Sequence, residues 1–203
     1  MNYLAIDTSG KNLTLIIKKD GVVYKVFDSE CGVNHSVELM PKLEKLASEV
    51  NFDFFSASFF AVVVGPGSFT GIRIGVATVK ALCFAFNKPY LSITSFDTLA
   101  YNEEGGKVLA LIDAKHNGFY ACGYCDNKID LEPRYIMRDE LLTIIDDYKT
   151  IVSSTLIEGI NAKIVSLDLG LERAIEQNYQ KIEKDASLLL PLYVRKSQAE
   201  ENR

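Results

Sequence analysis

The stretch AVVVGPGSFTGIRIG, residues 61–75, holds an apolar run, three glycines within seven residues, and then a helical pattern. A short apolar run bounded by glycine and proline reads as a buried strand, and Phe59 to Val64 fits that description. From Ile72 to Phe86 the apolar residues Ile72, Val76, Val79, Leu82, Cys83 and Phe86 recur three and four apart, as on one helix face. Asn87-Lys88-Pro89 stops that helix. A strand that feeds a helix through a glycine loop points to an α/β architecture. Such loops often cradle phosphate, because backbone amides at a helix start meet anions. Gly65, Gly67 and Gly71 nevertheless fit neither familiar phosphate code. Thr70 stands where the dinucleotide fingerprint needs glycine, and no Gly-Lys-Ser/Thr follows as in a P-loop. Gly65-Pro66-Gly67 reads instead as a stiff turn, with Thr70 placed to cap the helix and Arg73 adding one positive charge to its first turn. Gly71 and Gly75, four apart, share a helix face and admit a close neighbour.

Upstream, Tyr3 to Ile6 is a short apolar strand. Leu13 to Ile17 and Val22 to Phe27 are β-rich runs joined around Asp20-Gly21, a hairpin signal. Ser36 to Val50 carries a helical stripe of Val37, Leu39, Met40, Leu43, Leu46, Ala47 and Val50. Downstream, Tyr90 to Ile93 is a strand, and Thr94-Ser95-Phe96-Asp97 opens a helix with a capping-box pattern. Glu103-Glu104-Gly105-Gly106 is the best boundary, which sets lobes at residues 1–103 and 104–203. Beyond it, Lys107 to Ile112, Gly118 to Cys125 and Lys128 to Met137 read as strands, and Arg138 to Asp147 as a helix. Ile151-Val152 and Lys163 to Val165 are weaker strands, Leu169 to Gln177 is a helix, and Pro191 to Arg195 is extended. The polar tail after it reads as frayed. Strands followed by helices recur in each half.

The chain has 203 residues, 48% of them hydrophobic, and a net charge of −5. That composition builds a core, and the acidic balance argues against gripping nucleic acid alone, since phosphate backbones are bound by clustered Lys and Arg. The opening MNYLAIDTSG has no basic leader, and no apolar run is long enough to span a bilayer. Cys122-Gly-Tyr-Cys125 is a lone pair in a run that alternates like a strand, which sends the two thiols to opposite faces. The expectation is a cytoplasmic protein with reduced thiols.

Few residues carry chemistry. Asp7, which ends the buried strand within LAIDTSG, could orient an ion or water, or simply cap its turn. His35 opens a helix, but a metal pair on one face needs its partner four residues on, where Leu39 stands. His116 lies in a distant loop, so no metal is expected. Ser68 in Gly-Ser-Phe-Thr-Gly lacks the nucleophile-elbow spacing.

Taken together, LAIDTS at Leu4 to Ser9, His35-Ser36, and above all VVGPGSFTGIRIG at Val63 to Gly75 resemble the TsaB (YeaZ) family. Ser95 to Ala100, Asp113-Ala-Lys115 and Pro191 to Arg195 add to the likeness. The resemblance implies an ASKHA (actin-like ATPase) fold of two ribonuclease-H-like lobes. It implies a non-catalytic partner subunit of the complex that forms N6-threonylcarbamoyladenosine at position 37 of tRNAs reading ANN codons. The partners would be a TsaD-like catalytic paralogue, which binds metal through a His-x-x-x-His pair, and a TsaE-like ATPase. TsaC would supply the threonylcarbamoyl-adenylate, and tRNA would be met only through the complex. No cofactor, catalytic residue, metal or membrane is expected, and a homodimer stays open. Helix positions Leu39, Leu43, Leu46, Val50, Gly71, Arg73, Gly75 and Val79 are the expected interface. Asp7, Ser9, Gly65, Gly67 and Ser68 are the expected phosphate-facing loop. The alternatives are an ATPase or phosphotransferase of the same fold and, with less support, a peptidase.

Overall fold

The computed structural model describes residues 1–32 and 34–195. The tail expected to fray, residues 196–203, lies outside the described residues. Strand β1 (Tyr3–Asp7) is buried along its whole length between β2 (Leu13–Lys19), antiparallel, and β4 (Phe59–Val63), parallel. A central strand covered on both faces has no polar side to show, which is why YLAID lacks alternation. β2 returns as β3 (Val22–Asp28) over Asp20 and Gly21, whose φ angles are 52° and 84°. Two left-handed residues make the turn whose twist matches a hairpin, so the Asp-Gly signal gave the turn as well as the pairing.

Helix α1 (His35–Glu49) connects β3 toward β4 and lays Leu39, Leu43, Leu46 and Ala47 on the sheet. Helix α2 (Phe69–Phe86) follows β4 and leads to β5 (Tyr90–Ile93). α2 begins earlier than the periodicity indicates. Ser68, in an extended conformation, is its N-cap and accepts from Gly71 N at 3.2 Å. Thr70, expected to cap, lies inside the first turn instead. Asn87, with φ 51°, closes α2 in the left-handed conformation ahead of Pro89. The five-stranded sheet runs β3-β2-β1-β4-β5.

The second sheet repeats that plan. After α3 (Ser95–Ala100), the strands β6 (Lys107–Asp113), β7 (Gly118–Cys125) and β8 (Lys128–Met137) form an antiparallel meander. α4 (Arg138–Ile144) then leads to β9 (Thr150–Ser153), which lies parallel to β6, and to β10 (Lys163–Ile164). The order is β10-β9-β6-β7-β8, so in both sheets the first strand is central, with its hairpin on one side and two parallel strands on the other. Leu109, Leu111, Phe119, Ala121, Ile136, Leu141, Ile157 and Ile160 form the core beneath α4. The halves differ in one connection: α2 bridges β4 to β5, whereas irregular chain bridges β9 to β10.

α5 (Leu167–Asn178) is the last of the described α-helices, followed by two short 3-10 turns. By compactness, Met1–Ser95 and Glu172–Pro191 form one unit, and Phe96–Leu171 with the stretch from Leu192 forms the other. In the first unit, Tyr90 and Glu183 exchange two backbone hydrogen bonds of 2.8 Å, which covers the outer edge of β5. Lys80 Nζ donates to Ser187 O at 2.9 Å and holds the same return segment. By length and composition α2 is the one described helix long and apolar enough to cross a membrane, and a third of it (33%) is buried in the lobe.

Candidate functional site

β1 delivers Asp7, Thr8 and Ser9 to the glycine loop, and all three are buried. Asp7 Oδ1 accepts Ser9 N at 2.8 Å and so shapes the turn. Burial pushes the Asp7 carboxyl above its usual range, partly opposed by its hydrogen bonds to Ser9 and by the nearby His35. Ser9 O then accepts Ser68 N at 2.7 Å, and Ser95 Oγ donates to Ser9 Oγ at 3.1 Å. Thr8 Oγ1 donates to Gly71 O at 2.7 Å. The glycines explain themselves at this seam. A β-carbon on Gly67 would fall within 3.0 Å of Ser9 O, and one on Gly71 within 3.0 Å of Thr8 O. Gly75 faces Thr8 Oγ1 at 2.6 Å and Val62 Cγ2 at 3.4 Å by the same measure. Gly65, at φ 112°, turns the chain out of β4 and accepts Ser95 N at 2.8 Å. The small residues thus let backbone approach backbone. The amides of Ser68 and Gly71 are taken up within the chain.

Of the expected interface positions, Leu39, Leu43, Leu46, Gly71, Gly75 and Val79 are buried in their own lobe, and Val50 is half-buried. Only Arg73 is exposed, with its guanidinium 5.7 Å from the Phe69 ring centroid. The stripe that periodicity finds is the core-facing one, because the sheet claims the widest apolar face of each helix. The faces left outward differ. Met40 of α1 with Ala77, Thr78, Ala81, Leu82 and Ala85 of α2 line an open apolar groove of about 420 Å³. Val37, 68% exposed, and Phe84, 64% exposed, also project from these helices. Sequence reasoning missed this groove. Its one legible sign is the run of alanines at 77, 81 and 85, four apart on α2.

Among the described residues, the remaining candidates make no hydrogen bond to this seam. His35 is buried, with Nε2 3.0 Å from Asn12 O, so it packs rather than caps. Leu39, four residues on, is in the core. Among the described residues no cluster of three His, Cys, Asp or Glu side chains is arranged to hold a metal. Cys122 and Cys125 are unbonded thiols, and burial pushes Cys122 up to about 12. β7 keeps an unbroken register against β6 through Cys122 and Cys125, and the extra residues of the β7–β8 ladder lie on β8. The two thiols, three residues apart, therefore fall on opposite faces of the strand, as expected.

Two sheets of one repeated strand order, with helices on their faces and a glycine-serine turn from β4 into α2 packed against the end of β1, define a two-lobed protein of the ASKHA, actin-like class. Two solved structures share it across nearly their whole length. YeaZ from Pseudomonas aeruginosa has TM-score 0.74 and 20% identity, covering 95% of this chain and 99% of that one. A Pseudomonas aeruginosa protein described as similar to peptidase YEAZ has TM-score 0.77 and 20% identity, covering 96% and 99%. The chain belongs to the TsaD, tRNA N6-adenosine threonylcarbamoyltransferase, family, whose model matches residues 18–136. It is similar to the tRNA threonylcarbamoyladenosine biosynthesis protein TsaB of Bacillus subtilis, 33% identical over 122 residues, 59% of this chain and 53% of that protein. The Escherichia coli TsaB is 29% identical over 128 residues, 61% and 55%. The matched region spans little more than half the length of these curated relatives.

Proposed function

We propose that this chain is the non-catalytic, cytoplasmic partner subunit of the complex that forms N6-threonylcarbamoyladenosine at position 37 of tRNAs reading ANN codons. In that role it binds and activates a TsaD-like paralogue, with a TsaE-like ATPase joining the assembly. The observation that carries the proposal is the apolar groove on the outward faces of α1 and α2. A paralogue of the same fold brings an equivalent helix pair, and two such pairs make a four-helix contact. Ala77, Ala81 and Ala85 let the partner helix come close. The chain's own residues favour a supporting part: His35 is engaged with Asn12 O, and Leu39 fills the place of a second ligand. The net charge of −5 favours meeting tRNA through the assembly. Residues 7–9 and 65–68 remain the loop that would lie toward a nucleotide held with the partner.

The test is co-purification with the paralogue, using Ala81→Arg, which places a charge in the groove. Binding is expected to fall at least tenfold while the melting temperature holds. Leu43→Glu is unsuitable, because Leu43 is 1% exposed and its loss breaks the lobe. Unchanged binding of Ala81→Arg, or threonylcarbamoyl transfer to tRNA by this chain alone, overturns the proposal.

A further inference from the structure

The four sheet edges are protected unequally. β5 is covered by the Tyr90–Glu183 bridge. β8 carries Pro133 and the charges Lys128, Asp130, Glu132 and Arg134, and β10 is two residues long. These are the usual devices against stray strand pairing. β3 has no proline, runs Val22-Val-Tyr-Lys-Val-Phe-Asp28, and ends its sheet. It also exposes Val22 at 51%, Tyr24 at 37% and Phe27 at 45%.

Its register fixes what the edge offers. A two-residue hairpin makes Lys19 and Val22 a hydrogen-bonded pair, and such pairs alternate along the ladder. Val22, Tyr24, Val26 and Asp28 therefore bond inward to β2. The N–H and C=O groups of Val23, Lys25 and Phe27 point outward. We propose that the outer edge of β3 pairs antiparallel with β3 of a second copy of this chain, centred on Lys25. That register matches the outward groups as Val23 with Phe27, Lys25 with Lys25 and Phe27 with Val23, each pair exchanging two hydrogen bonds.

The side chains agree with the same centring. Val23 opposes Phe27 on one face and Tyr24 opposes Val26 on the other, each twice. Aromatic against β-branched is a favourable cross-strand combination. The two lysines at the axis would repel if they were alone. Each, however, lies 2.7 Å from Glu172 of its own α5, so the axis holds two ion pairs of zero net charge. Registers displaced by one residue on both strands lose a bonded pair and the aromatic matches. The product is one sheet continuous through both copies, and the outward groove of α1 and α2 stays open for another partner. The inference goes beyond the proposed function and does not depend on it.

The experiment is sedimentation of the full chain from about 1 μM to about 1 mM, since a contact of this size is weak and concentration-dependent. It is paired with amide hydrogen exchange. Dimer formation is expected to slow exchange at Val23, Lys25 and Phe27 by about tenfold and to leave Tyr24 and Val26 as they are. Lys25→Pro removes an outward N–H without touching the β2 ladder and is expected to abolish the dimer. Should that variant misfold, Phe27→Glu sets a carboxylate against Val23 at both ends and is expected to do the same. Ala81→Arg is expected to leave the dimer intact. A monomer throughout the range, a dimer that survives a folded edge variant, or one that Ala81→Arg dissolves overturns the proposal.

Discussion

Replacing Gly71 with alanine separates two opposite expectations. As a residue in a helix, glycine is the poorer former, and Gly71→Ala gains about 1 kcal/mol from propensity alone. The structure demands the reverse. The new β-carbon would lie within 3.0 Å of Thr8 O, 3.2 Å from Thr8 C and 3.4 Å from Ser68 Cβ. Thr8 directly follows the central strand β1, and its oxygen belongs to backbone, so no side chain can swing away. Overpacking of this severity sits at the upper end of its range, about 3 kcal/mol. Moving α2 outward also stretches the Thr8 Oγ1–Gly71 O hydrogen bond of 2.7 Å, worth about 1 kcal/mol. Setting the gain of about 1 against losses of about 3 and about 1 leaves a destabilisation of about 3 kcal/mol. For a chain of this size that lowers the melting temperature by about 6–12 °C. Urea unfolding followed by circular dichroism measures it, with Ala81→Gly as a surface control that loses about 1 kcal/mol. A Gly71→Ala protein as stable as the parent would show that the seam between β1 and α2 is not closed.

Two further substitutions probe other places. Gly170→Ala drives a β-carbon into Thr98 O, with Thr98 C at 2.8 Å, and is expected to cost about 3 kcal/mol in urea unfolding; an unchanged midpoint would refute that packing. Asp7→Asn tests the buried carboxyl. Because burial raises the folded-state pKa above 3.8, the folded state binds the proton more tightly, and the stability tied to Asp7 falls as pH rises from there. The asparagine variant is expected to be more stable than the parent at neutral pH, with the gap closing as pH falls toward 3.8; a gap constant across pH counts against the desolvated carboxylate.

Much of this was legible in the residues. Asp20-Gly21 announced the hairpin, Asn87-Lys88-Pro89 announced the end of α2, and Gly118 to Cys125 and Lys128 to Met137 are strands over those same residues. Local signals sufficed there because turn chemistry and period-two patterning act over a few residues. The start of α2 was misplaced because the capping hydroxyl comes from Ser68, whose role depends on Ser9 O gripping its amide from a distant strand. The outward groove was harder. Periodicity ranks helix faces by apolar bulk, so it returns the core stripe of Leu39, Leu43 and Leu46 and passes over a face of alanines.

The contact of Gly67 and Gly71 with the Ser9 and Thr8 carbonyls has a mechanical consequence. Elsewhere in the lobe a layer of side chains separates helix from sheet and can repack by changing rotamers. Between the start of α2 and the end of β1 there is no such cushion, only peptide groups in contact and joined by hydrogen bonds. The helix start and the Asp7 turn therefore move as one piece. A push on the outer side of α2 near its beginning reaches the buried carboxylate undamped, and whatever docks there holds a handle on that turn.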